Sequence, residues 1–457
     1  MVFSSLIFLF VFLSLFLVLY FVFKKVKIRN LILLMFSLAF YAWGEPFYII
    51  LIILSIIINF YLTKLMDKHK SKALLITIII INLGLLFLFK YADFTLLTFN
   101  KIFNINIPLL NITLPIGISF YTFQALSYVI DVYRGKVKVQ NKLYVLASYI
   151  VAFPQLIAGP IVRYETIEEQ LNKRKIDNIK FSNGIRRFII GLAKKVIIAN
   201  NVAYIADNIF NQSASEYGFI GALIGAIAYT LQIYFDFSGY SDMAIGLGKM
   251  LGFDYDENFN LPYIATSITD FWRRWHISLS TFFKDYVYIP LGGNRTTKFK
   301  HIRNILIVWL LTGLWHGSSW NFILWGLYYG VFLLIEKYFL ANKLNKLPNI
   351  LRHLYALIII CIGWLIFRQV NFIELKESFK ALFGFYGLGN LNIYVFTGIF
   401  TIRYIITFVM GILFSGKLSK VFYKNTILID IILIILFCIS ILFILINSYN
   451  PFIYFRF

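Results

Sequence analysis

Apolar runs and short basic connections alternate along this chain of 457 residues. Residues 4–23, 31–43, 47–62, 73–89, 114–133, 218–235, 354–367, 397–414 and 427–446 are apolar over most of their length. A helix needs about 20 residues to cross the hydrocarbon core of a bilayer, so the pattern predicts an all-α polytopic membrane protein, one multi-helix domain over 1–457. Lysine and arginine collect between the runs: Lys24, Lys25, Lys27 and Arg29, then Lys64, Lys68, Lys70 and Lys72, then a stretch from Arg134 through Lys195. Lys337, Lys343, Lys346 and Arg352 mark a fourth basic connection, and Lys417, Lys420 and Lys424 a fifth. Basic loops stay cytoplasmic, which places the N-terminus, the Gly44-Glu45-Pro46 turn and the C-terminal tail 450–457 outside.

Two segments depart from this rhythm. Residues 146–160 are apolar but too short to span and basic on both sides, so they read as re-entrant or interfacial, broken by Pro154, Gly159 and Pro160. Residues 185–203 carry Arg186, Arg187, Lys194 and Lys195 among apolar neighbours, the pattern of a helix lying along the inner surface.

Composition narrows the class. Hydrophobic residues make up 60% and aromatics 19% of the chain, with a mean hydropathy of +0.78. The first run has no basic n-region and no cleavage pattern before Lys24, so it reads as a retained helix in the cell membrane. A net charge of +22 in a soluble protein would suggest nucleic acid; here it follows the positive-inside distribution, and no nucleic-acid partner is expected. Cys361 and Cys438 lie inside apolar runs without metal-ligand spacing and read as core residues, with no disulfide or metal. No inverted repeat of the kind typical of transporters is visible.

Polarity concentrates in the middle third. Asp236, Ser238, Tyr240, Ser241 and Asp242 follow directly on an apolar run, and their carboxylates need cations, for which Arg273, Arg274, Lys284 and Arg295 are the candidates. Asp270, Arg273 and Arg274, at i, i+3 and i+4, share one helical face with Trp272 and Trp275 close by, as an interface anchor or the wall of an anionic-substrate pocket would. On a continued helix His276 points elsewhere. His316 stands alone, since residues 305–335 contain no Asp, Glu, Lys or Arg. A lipid-embedded chain keeps an ionisable side chain at depth where it is hydrogen-bonded, lines a cavity or does chemistry. A neutral imidazole in a dry pocket can take a proton from a hydroxyl and return one to a thiolate. Gly313 and Gly317 flank it and permit close approach of a helix or an acyl chain.

Six ordered blocks resemble the membrane-bound O-acyltransferase (MBOAT) family, in its bacterial branch of alginate and peptidoglycan O-acetylation: 119–124 (SFYTFQ), 153–161 (FPQLIAGPI), 236–242, Glu257-Asn258-Phe259, 271–294 and 309–317 with its Trp315-His316-Gly317. The resemblance implies a ring of roughly 10–13 transmembrane and re-entrant helices around a thin centre, with a cytoplasmic and an outer cavity. It implies His316 as the catalytic histidine and His276 as a supporting one, acetyl-CoA as acyl donor, and no metal. Arg273 and Arg274 would be candidates for the donor's phosphates. The tail Pro451-Phe452-Ile453-Tyr454 resembles a C-terminal acyl-carrier motif of envelope-polymer acylation, which implies an acetyl relay through Tyr454 to an extracytoplasmic transferase partner and a cell-envelope polysaccharide. An interfacial aromatic anchor would read the same way. D-alanyl transfer to teichoic acid from a carrier protein, and a transporter or flippase, are the alternatives.

Overall fold

A computed structural model of the chain describes residues 1–157, 159–369, 371–389, 398 and 401–446. All regular elements among them are helices. Eight are long and apolar enough to cross a membrane, or nine if the pair Ile402–Phe414 and Lys417–Tyr423, bent by 89°, forms one span. The helices occupy two compact units, 1–188 with 241–256 and 189–240 with 257–457. The expected runs became Ile7–Val22, Val26–Gly44, Ile49–His69, Lys72–Lys90, Ile118–Tyr133, Ala214–Met250, Asn349–Arg368, Ile402–Phe414 and Ile427–Ile446, of which Ile7–Val22 is shorter than a span needs. The tail with Tyr454 lies outside the described residues.

The first unit is organised by its broken segment. Leu143–Ile150 and the single turn Phe153–Leu156 are buried, so these parts of the segment belong to an interior and are not interfacial. Phe153 is the reason. Its ring meets those of Phe12, Phe16 and Phe40 at 5.4, 5.1 and 5.7 Å, and burying four aromatic side chains stabilises the turn by several kcal/mol. The break leaves the Phe153 N–H without a partner within the turn, and it donates to Ser37 Oγ at 3.0 Å. Pro154, which has no N–H, sits in the first turn where none is needed. Elsewhere in this unit Asn59 and Asn82 exchange amide hydrogen bonds of 3.0 and 2.9 Å between neighbouring spans.

The 185–203 segment is not a surface helix. It belongs to a run of helix from Asn178 to Phe210, and two of its cations, Arg187 and Lys195, are paired inside the protein. In the first unit Arg187 Nε donates to Asp242 at 2.7 Å. In the second, Lys195 reaches Asp236 at 2.7 Å, with both side chains at most 3% exposed. The carboxylates are therefore satisfied by cations that precede them in sequence, and Arg273, Arg274, Lys284 and Arg295 are not what neutralises them. Gly239 allows the approach, because a Cβ there would lie 2.8 Å from the Gly191 carbonyl oxygen. Removing one member of such a pair strands the other charge in low dielectric. Lys195→Met is expected to cost about 3–5 kcal/mol. The double variant Lys195→Met/Asp236→Leu should recover most of that loss, as read by thermal unfolding of the detergent-solubilised protein.

Cys438 is exposed on the span Ile427–Ile446 and is not a core residue, because apolar side chains on the outer face of a membrane helix are covered by lipid. Cys361 is half-buried, with Thr230 Oγ1 3.2 Å from its sulfur.

Candidate functional site

His316 is the last residue of the helix Lys298–His316, and Gly317 leaves it in extended conformation. The chain returns as Trp320–Ile335, and small residues let the two helices touch along their backbones. A Cβ on Gly313 would lie 2.3 Å from the Phe322 carbonyl oxygen, and one on Gly326 would lie 2.2 Å from that of Trp309. The glycines beside the histidine thus accommodate a helix. The imidazole is 4% exposed and is boxed by aromatic rings at near right angles: Trp315 at 5.0 Å, Trp325 at 4.9 Å and Phe367 at 5.3 Å. Ring edges and faces exclude water and fix the imidazole plane.

His276 is reached differently from what helical spacing predicts. The helix Ile268–Arg274 stops two residues earlier, and His276 takes a left-handed backbone (φ 44°) before Ile277–Phe283 begins. A non-glycine residue holds that conformation where its surroundings over-determine it. Asn258 is that surrounding. Its Oδ1 accepts from the Ser278 N–H at 3.2 Å and from Ser278 Oγ at 2.9 Å, and it lies 3.1 Å from His276 Nδ1. An oxygen that accepts a backbone N–H offers only lone pairs, so Nδ1 carries the ring proton and Nε2 presents a lone pair. Nε2 has no partner among the described residues. Burial pushes the imidazole pKa down to about 3, which keeps it neutral. The His276 ring lies 5.6 Å from Trp315, whose indole also packs against His316 at 5.0 Å, so one tryptophan separates the two histidines.

The two arginines have different fates. Arg274 Nε donates to Asp270 at 2.8 Å and Nη1 to the Asn260 carbonyl at 3.3 Å, which commits it to its own loop. Arg273 is exposed and lines a cavity of about 580 Å³ with Tyr288, His301, Lys337 and Arg352. His301 lies near the start of the helix that ends at His316, about 22 Å away at 1.5 Å per residue. It is held between Tyr338 Oη at 2.8 Å, Tyr288 Oη at 3.0 Å and Lys337 Nζ at 2.9 Å. Burial, and then the Lys337 charge, push the His301 pKa down.

The carboxylate beside this cavity, Glu336, is spent on the backbone. Its oxygens accept from the N–H groups of Ile268 and Thr269 at 2.6 and 2.9 Å and from Thr269 Oγ1 at 2.7 Å. It thereby caps the seven-residue helix that carries Arg273 and sets where His276 emerges. Among the described residues, no ion pair engages Arg273, Lys337 or Arg352.

A second cavity, of about 1010 Å³, is lined by amides, hydroxyls and carboxylates that include Asn208, Gln212, Tyr217, Gln369 and Glu377. Asp207 and Arg368 pair in its wall at 2.6 Å. Arg368 and Gln369 directly follow Phe367, which touches His316, and Asn321 Nδ2 donates to the Gln369 carbonyl at 2.5 Å. Among the described residues no three His, Cys, Asp or Glu side chains are grouped to hold a metal ion.

Residues 142–366, which contain both histidines, match the profile of the membrane-bound O-acyltransferase family. A probable alginate O-acetylase AlgI of Azotobacter vinelandii is 44% identical over 403 residues, covering 86% of this chain and 80% of the relative. A peptidoglycan O-acetyltransferase of Helicobacter pylori is 36% identical over 86% of this chain and 81% of its own length. A teichoic acid D-alanyltransferase of Bacillus subtilis is 32% identical over 56% of this chain and 69% of its own. With a family profile over the two-histidine region and relatives aligned along most of its length, this multi-pass chain belongs to the membrane-bound O-acyltransferase family and is an O-acyltransferase enzyme.

Proposed function

We propose that the chain moves acetyl groups from cytoplasmic acetyl-CoA to the outside of the cell membrane, for O-acetylation of an envelope polysaccharide such as peptidoglycan or an alginate-like polymer. The observation that carries this reading is a single helix with a cationic cavity near one end and a boxed imidazole at the other. The basic connections support an orientation with the His301 end of Lys298–His316 on the cytoplasmic side, in which the 1010 Å³ cavity and both termini would face outside. Arg273, His301, Lys337 and Arg352 suit the phosphates of a nucleotide donor, and the remaining length of the helix suits the arm that carries its thioester.

His316 takes the proton from an acceptor hydroxyl as that oxygen attacks the thioester carbonyl. The tetrahedral intermediate expels the CoA thiolate, which receives the proton back from the imidazolium. With the ring proton on Nδ1, His276 Nε2 is an acceptor, so its role is to orient a hydroxyl and not to donate to an oxyanion. The first acceptor is the phenol of Tyr454, which hands the acetyl group to an extracytoplasmic transferase partner. An ester formed from a thioester needs no redox cofactor, so the protein contributes positioning and proton transfer.

The donor assignment separates the two neighbouring arginines. Arg273→Ser is expected to raise the KM for acetyl-CoA about tenfold, the loss of one charge-assisted contact of about 1.4 kcal/mol, with little change in kcat. Arg274→Ser should leave the KM near the wild-type value. Steady-state transfer of labelled acetyl from acetyl-CoA by the purified full chain checks both. Equal effects would remove the cavity from the donor path, and no acetyl transfer from acetyl-CoA by the wild type would favour the carrier-protein donor of the D-alanyl systems.

A further inference from the structure

Two basic segments far apart in the sequence, 24–29 and 173–180, are brought together in the first unit. Asn30 Nδ2 donates to the Leu171 carbonyl at 2.8 Å, and the rings of Phe21 and Phe181 meet at 5.3 Å. Lys24, Lys25, Lys27 and Arg29 come from one segment, and Lys173, Arg174, Lys175 and Lys180 from the other. Two carboxylates of this unit are engaged with Lys180: Asp177 accepts its backbone N–H at 2.6 Å, and Asp254 pairs with its ammonium at 2.6 Å.

Arg174 lies at the centre and is 6% exposed. Nε donates to Tyr20 Oη at 2.9 Å, and Nη1 donates to Asn30 Oδ1 at 2.6 Å and to the Gln170 carbonyl at 3.3 Å. Every one of these acceptors is neutral. The guanidinium also lies over Phe253 at 4.5 Å and Tyr20 at 5.7 Å. Nη2 has no acceptor among the described residues. The same Tyr20 ring carries the half-buried Arg29 at 5.3 Å, whose Nε is used on the carbonyls of Tyr20 and Phe23 at 3.2 and 2.7 Å. Neither guanidinium is ion-paired among the described residues.

A guanidinium buried against neutral acceptors keeps an uncompensated charge, which costs several kcal/mol, and an unused N–H adds to that cost. One phosphate group would remove both costs, because its oxygens are charged and match the fork of an arginine. We propose that Arg174 and Arg29, with the lysines around them, form a phosphate site that takes the headgroup of an anionic phospholipid. A lipid is favoured over a soluble phosphate by the apolar side chains beside the cluster: Val22, Phe23 and Ile179 are 65%, 40% and 74% exposed. They fit the acyl region next to a basic patch at the ends of membrane helices. This site is independent of the acyl-transfer chemistry and of His316.

The test uses the purified full chain in neutral detergent, titrated with phosphatidylglycerol or phosphatidylcholine and followed by native mass spectrometry. One phosphatidylglycerol should be retained in preference to phosphatidylcholine, and Arg174→Gln and Arg29→Gln should each weaken it about tenfold. Inorganic phosphate should compete poorly; competition as strong as that of the lipid would overturn the lipid assignment in favour of a soluble phosphate. Should Arg174→Gln fail to fold, Arg29→Gln and Lys175→Gln at the rim carry the test. Wild-type affinity in the arginine variants, or equal retention of the two lipids, would show that Arg174 is only a structural pin.

Discussion

Replacing His316 with alanine is expected to lower acetyl transfer to background while leaving the protein inserted and folded. The reasoning starts from the aromatic box. Trp315, Trp325 and Phe367 hold the ring edge-on, so truncation leaves a small cavity and loses ring contacts, an effect of about 2–4 kcal/mol spread over a large helical unit. Proton transfer by a positioned group is worth about 10²–10⁴ in rate, and without it a hydroxyl at neutral pH is a poor nucleophile toward a thioester. The measurement is labelled acetyl transfer by the purified variant, normalised to folded protein by size-exclusion. Retention of more than about a tenth of the wild-type rate, equivalent to less than about 1.4 kcal/mol of barrier, would remove His316 from the chemistry. His276→Ala offers the contrast. Its ring orients and does not initiate in the proposed reaction, so its loss should be partial, and Asn258→Leu should reproduce it by releasing the Nδ1 proton's acceptor.

Six of the eight candidate spans and the break near Pro154 were legible in the sequence, because hydropathy is a signal carried along the chain; Asn178–Phe210 and Trp320–Leu344 were not read as spans. Pairings across the chain were not legible. Asp236 and Asp242 demanded cations, but their partners Lys195 and Arg187 stand some 40 to 55 residues upstream, in a segment whose charges mimic a surface helix until the neutralising carboxylates are brought against it. Periodicity continued the Asp270 helix through His276, whereas the turn is set by Asn258 and by Glu336 capping the helix from a distant span. Asn258 stands within the Glu257-Asn258-Phe259 block, so its position was visible although its role was not. Glu336 had no comparable signal, since a carboxylate at the end of an apolar run reads as an ordinary boundary residue.

Tyr454→Phe should abolish polymer acetylation in cells while leaving protein level and acetyl-CoA binding unchanged. The substitution removes one oxygen and keeps the ring, so it spares an interfacial anchor and disables an acyl carrier. Geometry permits the carrier role. The span Ile427–Ile446 ends outside in the proposed orientation, and the eight residues from Ile446 to Tyr454 reach at most about 26–29 Å when extended, enough to enter the outer half of a bilayer about 30 Å thick. There the phenol would meet a neutral imidazole acceptor and a thioester delivered from the opposite side. Mass spectrometry supplies an independent readout: in cells lacking the outer transferase, the C-terminal peptide of the wild type should carry an acetyl increment that His316→Ala abolishes. Normal polymer acetylation by Tyr454→Phe would mean that the acetyl group passes from donor to final acceptor without stopping on this chain, and that the tail only anchors it.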